Sequence, residues 1–287
     1  MKITIAKSSG FCFGVRRAID ICNRLASTKK KAYVLGDIVH NSFVVEELKA
    51  KGIKKISRVK PSKNSTLIIR AHGAPESTFK KARKCGYRIV DATCPKVRDI
   101  YRIAKKLEKD NTVIIIGDTG HDEVKGIAGQ LKKTPFIVES PGDVSRSVFQ
   151  SVKKAAVITQ STQSLDNITS VMRKLEKIIP DVKLYNTTCR TTVIKQEEIQ
   201  SLPRKNDLIL IIGSMTSANT KRLFNISRTI NRKTYWIESA KGLKPSWVRH
   251  ADKIGIMAGA STPDYITQQV VACIKKMKPS ERSKKNA

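Results

Sequence analysis

The chain has 287 residues, 40% of them hydrophobic, enough to bury a sizeable core in one large or two to three smaller domains. Its 56 Lys+Arg against 24 Asp+Glu leave a formal charge of +32, a balance that attracts polyanions, acidic proteins or phosphorylated small molecules in a salt-dependent way. No run resembles a membrane span and the opening MKITIAKSSG lacks the apolar stretch of a secretory leader, so a cytoplasmic protein is expected, its six cysteines thiols or metal ligands rather than disulfides.

Short apolar, β-branched runs alternate with amphipathic stretches along the chain. ITIA (3–6) predicts a strand, VRRAIDICNRLA a helix, and AYVLG (32–36) a second strand. TLIIRA (66–71) and YRIVDA (87–92) add two strands before the helical pattern VRDIYRIAKKLEK. TVIIIG (112–117) and AAVITQ (155–160) precede the helix NITSVMRKLEKII, and LILIIG (208–213) and KIGIMAG (253–259) precede the helix TPDYITQQVVACIKKM. The alternation predicts the α/β class, with parallel sheets flanked by helices. Basic residues fall in separate clusters, at Lys29–Lys31, between Lys49 and Lys63, and in a tail from Lys275 to Lys285 expected to be disordered. None is interleaved with aromatics as single-strand binders are, so a solvated Lys-rich surface is the plainer reading.

Three cysteines share one phase. Cys12, Cys94 and Cys189 each head a helical pattern, then a strand ending in Gly36, Gly117 or Gly213, at spacings equal to within one residue; four residues further stand His40, His121 and Ser217. One thiol per repeat can bring three thiolates to a central point. Three similar α/β lobes in a pseudo-threefold arrangement around a central metal cluster are therefore expected: 1–92 (Cys12, His40, His72), 93–185 (Cys94, His121, Glu123), 186–274 (Cys189, Ser217, Asn219, Ser261), then a basic tail, 275–287. Taken singly, a free Cys is more often a core residue, the reading kept for the out-of-phase Cys22, Cys85 and Cys273. Before a helix start the thiolate is favoured.

Structural zinc normally shows paired C-x₂₋₄-C ligands, which are lacking. All-sulfur ligation suits an iron–sulfur cluster, usually held by four Cys; with three, one iron is left open to substrate. Polar residues crowd the ends of the predicted strands, where parallel α/β sheets bind ligands. His40, His72, His121, Ser217, Asn219 and Ser261 can donate to phosphate oxygens. No Walker A or GxGxxG motif points to a nucleotide. Glu123, in GHDEVKG, is the carboxylate best placed to handle protons, with a first-turn helix acid favoured by the dipole as the plain alternative. His250, before a strand, reads as a surface histidine.

Through GFCFGV, VLGDIVHN, RAHG, DATCP, GHDEVKG, TQST, NTTC, SANTKRL and GASTPD, nearly the whole chain resembles the LytB family of 4-hydroxy-3-methylbut-2-enyl diphosphate reductases, enzymes of the non-mevalonate isoprenoid pathway. The resemblance implies a three-lobed α/β fold around a [4Fe–4S] cluster on Cys12, Cys94 and Cys189. It implies substrate contacts from His40, His72, His121, Ser161, Ser217, Ala218, Asn219 and Ser261, and catalysis by Glu123 with Ser161 and His121. The substrate is then an allylic diphosphate, reduced through the cluster by an external donor such as ferredoxin or flavodoxin. Ser161 stands where the family has Thr, keeping the hydroxyl. Ala218 and Thr216 depart from an Asn-Ser-Ser-Asn run, which removes one diphosphate donor. Asp122 replaces a Pro and Lys195 an Arg, neither an implied ligand. The rival readings are a non-catalytic iron–sulfur sensor with a basic nucleic-acid-binding surface, disfavoured because a sensor needs no diphosphate clamp, and an α/β protein without metal.

Overall fold

The computed structural model describes residues 1–28 and 30–277. Lys29 of the first basic cluster and residues 278–287 of the tail lie outside the described residues.

The elements run in three rounds. The first comprises β1 (Lys2–Ile5), α1 (Phe13–Ser27), β2 (Ala32–Leu35), α2 (Ser42–Ala50), β3 (Ile53–Ile56), β4 (Ser65–Ile69), α3 (Glu76–Lys84) and β5 (Tyr87–Asp91). The second is α4 (Pro95–Leu107), β6 (Thr112–Ile116), α5 (Asp122–Ala128), β7 (Phe136–Val138), α6 (Arg146–Phe149), β8 (Lys154–Thr159), α7 (Leu165–Leu175) and β9 (Asp181–Tyr185). The third is α8 (Arg190–Ser201), β10 (Leu208–Ile212), α9 (Ala218–Ile230), β11 (Thr234–Ile237), α10 (Pro245–Val248), β12 (Lys253–Ala258) and α11 (Asp264–Met277).

They form three four-stranded sheets, ordered β3-β2-β4-β5, β7-β6-β8-β9 and β11-β10-β12-β1, with every pairing parallel. The order is the same three times, because the fourth strand of the last sheet is the first strand of the chain. The boundary expected at residue 1 for the first lobe therefore differs from the sheet: β1 pairs with β12 from Lys2↔Lys253 to Ile5↔Ile256. The physical reason lies in the repeat, which runs from a cysteine-headed helix to a fourth strand. After β12 the described chain offers only α11, and β1 covers the open edge. Lys275 and Lys276, assigned to a disordered tail, instead end α11, which the buried Ile266, Val270 and Ile274 hold in place and whose C-terminal dipole the lysines complement.

By compactness the chain divides into two units, one of Phe13–Val39 with Phe43–Cys189, the other of Met1–Cys12, His40–Ser42 and the chain from Arg190 on. The first holds two sheets and the second holds the third. In the sheet centred on β6, the pleat sends Ile114 and Ile116 to one core with Val157, Val171 and Leu175, and Val113 and Ile115 to another with Ile100, Ile127 and Ile158. A strand buried on both faces reads as a continuous apolar run, which is why its sequence is TVIII. All eight strands expected from such runs are present. The pattern does not single out β3, β7, β9 and β11, which all lie at sheet edges. Half-exposed edges such as IKKI and DVKLY mix charge with apolar residues.

Candidate active site

Every pairing being parallel, the carboxyl ends of each sheet's strands share one edge. The residues singled out from the sequence follow particular strands. Counted along the repeat from β2, β6 and β10, these first strands lead to His40, His121 and Ser217, the third (β4, β8 and β12) to His72, Ser161 and Ser261, and the fourth (β5, β9 and β1) to Cys94, Cys189 and Cys12. Second strands contribute none.

In the larger unit, β4 ends in the turn Arg70–Gly73, where the Gly73 amide donates to the Arg70 carbonyl at 3.0 Å. Gly73 has φ +78°, and a Cβ there would collide with the Tyr101 hydroxyl, so only glycine suits the turn that presents His72. The His72 and His121 rings meet edge to face, with centroids 5.6 Å apart. His121 caps α5: its Nδ1 accepts from the Glu123 amide at 3.1 Å. A neutral ring that accepts at Nδ1 carries its proton at Nε2 and can donate it there.

Glu123 is 2% exposed. Its Oε1 accepts from the Ser161 amide at 2.6 Å and its Oε2 from the Ser161 hydroxyl at 2.7 Å. Ser161 is placed by the end of β8, where the Gln160 amide donates to the Ile116 carbonyl, and its own carbonyl accepts from the Cys189 amide at 2.9 Å. Cys94 is the N-cap of α4, with Pro95 following, and its amide donates to the Ala71 carbonyl at 2.9 Å. Both thiols are half-buried and unbridged.

The smaller unit holds the remaining residues. The Cys12 amide donates to the Ala260 carbonyl at 3.1 Å, beside Ser261, whose hydroxyl donates to the His40 carbonyl at 3.0 Å. Ser217 caps α9, its Oγ accepting from the Thr220 amide at 3.3 Å. Ala218, first residue of that helix, offers a backbone amide at the positive end of a helix dipole. Asn219 is 5% exposed, and its Nδ2 is buried without a hydrogen-bond partner among the described residues. A buried amide donor left unmatched costs about 1–3 kcal/mol, a cost that an anion at this helix terminus would relieve.

Cys22 lies inside α1, fully buried, its thiol pushed up to about 12 by that burial; Cys85 caps α3, and Cys273 sits in α11. His250 is exposed. Two supports were given no role by the sequence alone. Arg70 pairs with Asp122 at 2.6 Å, tying the His72 turn to the first residue of α5. Tyr101 fills the space left by Gly73 and Gly126, its phenol raised by burial and then by the charge of Glu123. The only trace of Tyr101 in the sequence is the pair of glycines that make room for it.

Parallel sheets bearing thiols, a buried carboxylate–serine pair and anion-type donors after their strands define an α/β enzyme class. The chain belongs to the LytB protein family, whose profile matches residues 3–275. It is 35% identical over 272 residues to the 4-hydroxy-3-methylbut-2-enyl diphosphate reductase of Geobacter sulfurreducens, covering 94% of this chain and 96% of that one. It is equally 35% identical, over 280 residues and 96% of each chain, to the enzyme of that name from Aquifex aeolicus. A solved structure of the E-1-hydroxy-2-methyl-but-2-enyl-4-diphosphate reductase from Plasmodium falciparum matches with a TM-score of 0.88 and 28% identity, covering 97% of this chain and 89% of that one. Another, of (E)-4-hydroxy-3-methyl-but-2-enyl diphosphate reductase, the terminal enzyme of the non-mevalonate pathway, matches with a TM-score of 0.71 and 35% identity over 96% of this chain and 100% of that one.

Proposed function

We propose that the chain reduces (E)-4-hydroxy-3-methylbut-2-enyl diphosphate to isopentenyl and dimethylallyl diphosphate. The balance requires two electrons and two protons: the allylic C–O bond breaks, oxygen leaves as water with one added proton, and carbon takes the other. The observation that carries this reading is the buried Glu123 with both oxygens on Ser161.

Cys12, Cys94 and Cys189 fit a [4Fe–4S] cluster: three soft, half-buried, unbridged donors, each directly following a fourth strand. When bound, the cluster supplies the electrons and an iron without a protein thiolate as Lewis acid for the alcohol oxygen. The chain's own residues do the rest. His40, His72, His121 through Nε2, Ser217, the Ala218 amide, Asn219 through Nδ2 and Ser261 bind the diphosphate, hydrogen-bond donors around a concentrated negative charge. In the structure Ser161 Oγ donates to Glu123 Oε2; with Glu123 protonated the bond reverses, the serine passes its proton to the leaving oxygen and takes that of Glu123, and the carboxylate left behind is reprotonated from solvent before the next turnover. Ser161 preserves this relay with the hydroxyl that a Thr would supply.

The electrons come from an external acidic carrier such as a ferredoxin or flavodoxin, steered by the +32 charge. Raising the salt should slow turnover with that carrier more than turnover with a small reductant, because exposed charges are screened over about 8 Å at physiological ionic strength. Among the described residues no helix is long and apolar enough to cross a membrane, and we place the reaction in the cytoplasm. A regulatory sensor gains no support, since the relatives are named as reductases.

Anaerobically loaded protein, given the allylic diphosphate and a one-electron dye, should consume two electrons per product formed. Full iron loading with no consumption of substrate would overturn the reading.

A further inference from the structure

Lys195 is 1% exposed, among the largest side chains in the molecule to be fully buried. Its ammonium finds no carboxylate at hydrogen-bond distance among the described residues. It donates instead to three backbone carbonyls, those of Ser8, Gly10 and Ala258, the last two at 3.2 Å each. Three donors meeting three acceptors satisfy the group's hydrogen bonding. These carbonyls carry no formal charge, so the ammonium sits where desolvation makes charge costly, with Glu198 and Asp264 opposing that cost without a direct bond.

Its location gives that charge a use. Ser8 and Gly10 belong to the segment between β1 and Cys12, and Ala258 ends β12. The same segment is held by Glu198, one turn along α8, which accepts from the Lys7 amide at 2.5 Å, the Ser8 amide at 2.8 Å and the Ser8 hydroxyl at 2.6 Å. Burial raises the Glu198 carboxyl, but the Ser8 and Lys7 donors outweigh it and hold the group below its ordinary value. Gly10 has φ +86°, the left-handed turn that brings its carbonyl to Lys195. One face of α8, the helix that starts at the residue after Cys189, thus grips the residues that lead into Cys12. Burial lowers Lys195 to about 8, opposed first by Cys12 and then by Glu198 and Asp264; three carbonyl acceptors around Nζ match the three N–H donors of an ammonium.

We propose that Lys195 is a positioning residue for the cluster: it ties the Ser8 and Gly10 carbonyls, in the segment that leads into Cys12, to the Ala258 carbonyl at the end of β12, and it holds a buried positive charge on that segment. This rests on the cluster reading above. The potential of an iron–sulfur cluster follows the net charge around it, and a fixed cation favours the reduced, more negative form. Without the ammonium the cluster is harder to reduce. Lys195 touches neither substrate nor the reacting atoms and acts through Cys12.

The experiment uses three variants of the full chain: Lys195→Met, which removes charge and donors, Lys195→Gln, which keeps amide donors without charge, and Lys195→Arg, which keeps the charge. In metal-free protein, amide hydrogen exchange at Ser8, Gly10 and Cys12 should quicken in Lys195→Met and quicken less in Lys195→Gln, while exchange in the α7 core stays at the wild-type rate. In iron-loaded protein, the midpoint potential should fall in both Lys195→Met and Lys195→Gln and stay near wild type in Lys195→Arg. Should Lys195→Met fail to fold, the Gln and Arg pair decides. Wild-type exchange in Lys195→Met, or an unchanged potential in the two neutral variants, overturns the proposal while leaving the cluster reading standing. A wild-type protein that takes up no iron overturns the cluster reading itself, and with it this inference.

Discussion

The two units hold their polar residues in opposite ways. Around α5 two side chains meet directly: Glu123 accepts from the Ser161 hydroxyl as well as from its amide, and His121 accepts from the Glu123 amide. Around the start of α9 they answer backbone or nothing: Ser217 accepts from Thr220, Ser261 donates to His40, and the Asn219 amide donor is unmatched among the described residues. A closed network is suited to holding a proton at a defined atom. An open set of donors is suited to receiving an anion. On the proposed reading, the difference teaches that the fold itself holds the Glu123–Ser161 pair together, whereas the Asn219 donor would gain its partner from a bound anion.

The largest expected effects lie outside both networks. Cys12→Ser, Cys94→Ser and Cys189→Ser should each abolish iron retention, because the proposed three-ligand site has no spare thiol, while Cys22→Ala, Cys85→Ala and Cys273→Ala keep iron near the wild-type content. Loss of iron in Cys85→Ala as complete as in Cys94→Ser would break the repeat on which the assignment stands. Alkylation gives an independent check. With its pKa pushed up to about 12, the Cys22 thiol is almost wholly protonated at pH 8 and should label only after unfolding.

Next comes the closed network. Glu123→Gln keeps the size of the side chain but removes the transferable proton, and kcat should fall about 10²- to 10⁴-fold. Iron content and the visible spectrum should remain those of wild type. Wild-type turnover would move the proton to another group.

The open set predicts a smaller effect of a different kind. Asn219→Ala should raise KM by roughly tenfold, the loss of one hydrogen bond to a charged group. Its unliganded stability should not drop by the cost usual for a buried polar residue, because the donor it removes has no partner to lose. Smallest of all, Asp122→Asn should leave turnover near wild type and cost about 1–3 kcal/mol of stability, the side chains of the Arg70 pair being only 18% and 21% exposed. A larger loss would make the pair part of the closed network.

What the sequence showed and hid divides along the same physical lines. Central strands such as TVIII and LILII are buried on both faces and declare themselves as apolar runs. Edge strands such as IKKI and DVKLY do not, and β1 and β12 were both legible as strands while their pairing was not, since pairing across the length of the chain leaves no local trace. The threefold phase of Cys12, Cys94 and Cys189 was visible because it repeats with the fold. Lys195 and Tyr101 were not, because a buried lysine on carbonyls and a phenol beneath two glycines follow no motif. Lys195 even read as a neutral exchange for Arg, and its grip on the Cys12 segment emerges only from the packing.

The central claim is the division of labour between a network that holds a proton and a set of donors that holds an anion. It is tested most directly by titrating the allylic diphosphate into iron-loaded, oxidised protein, where no electrons flow and binding is read alone. The account predicts that Glu123→Gln binds as wild type does and that Asn219→Ala binds about tenfold more weakly. Equal weakening in the two variants, or weakening in Glu123→Gln alone, would contradict it.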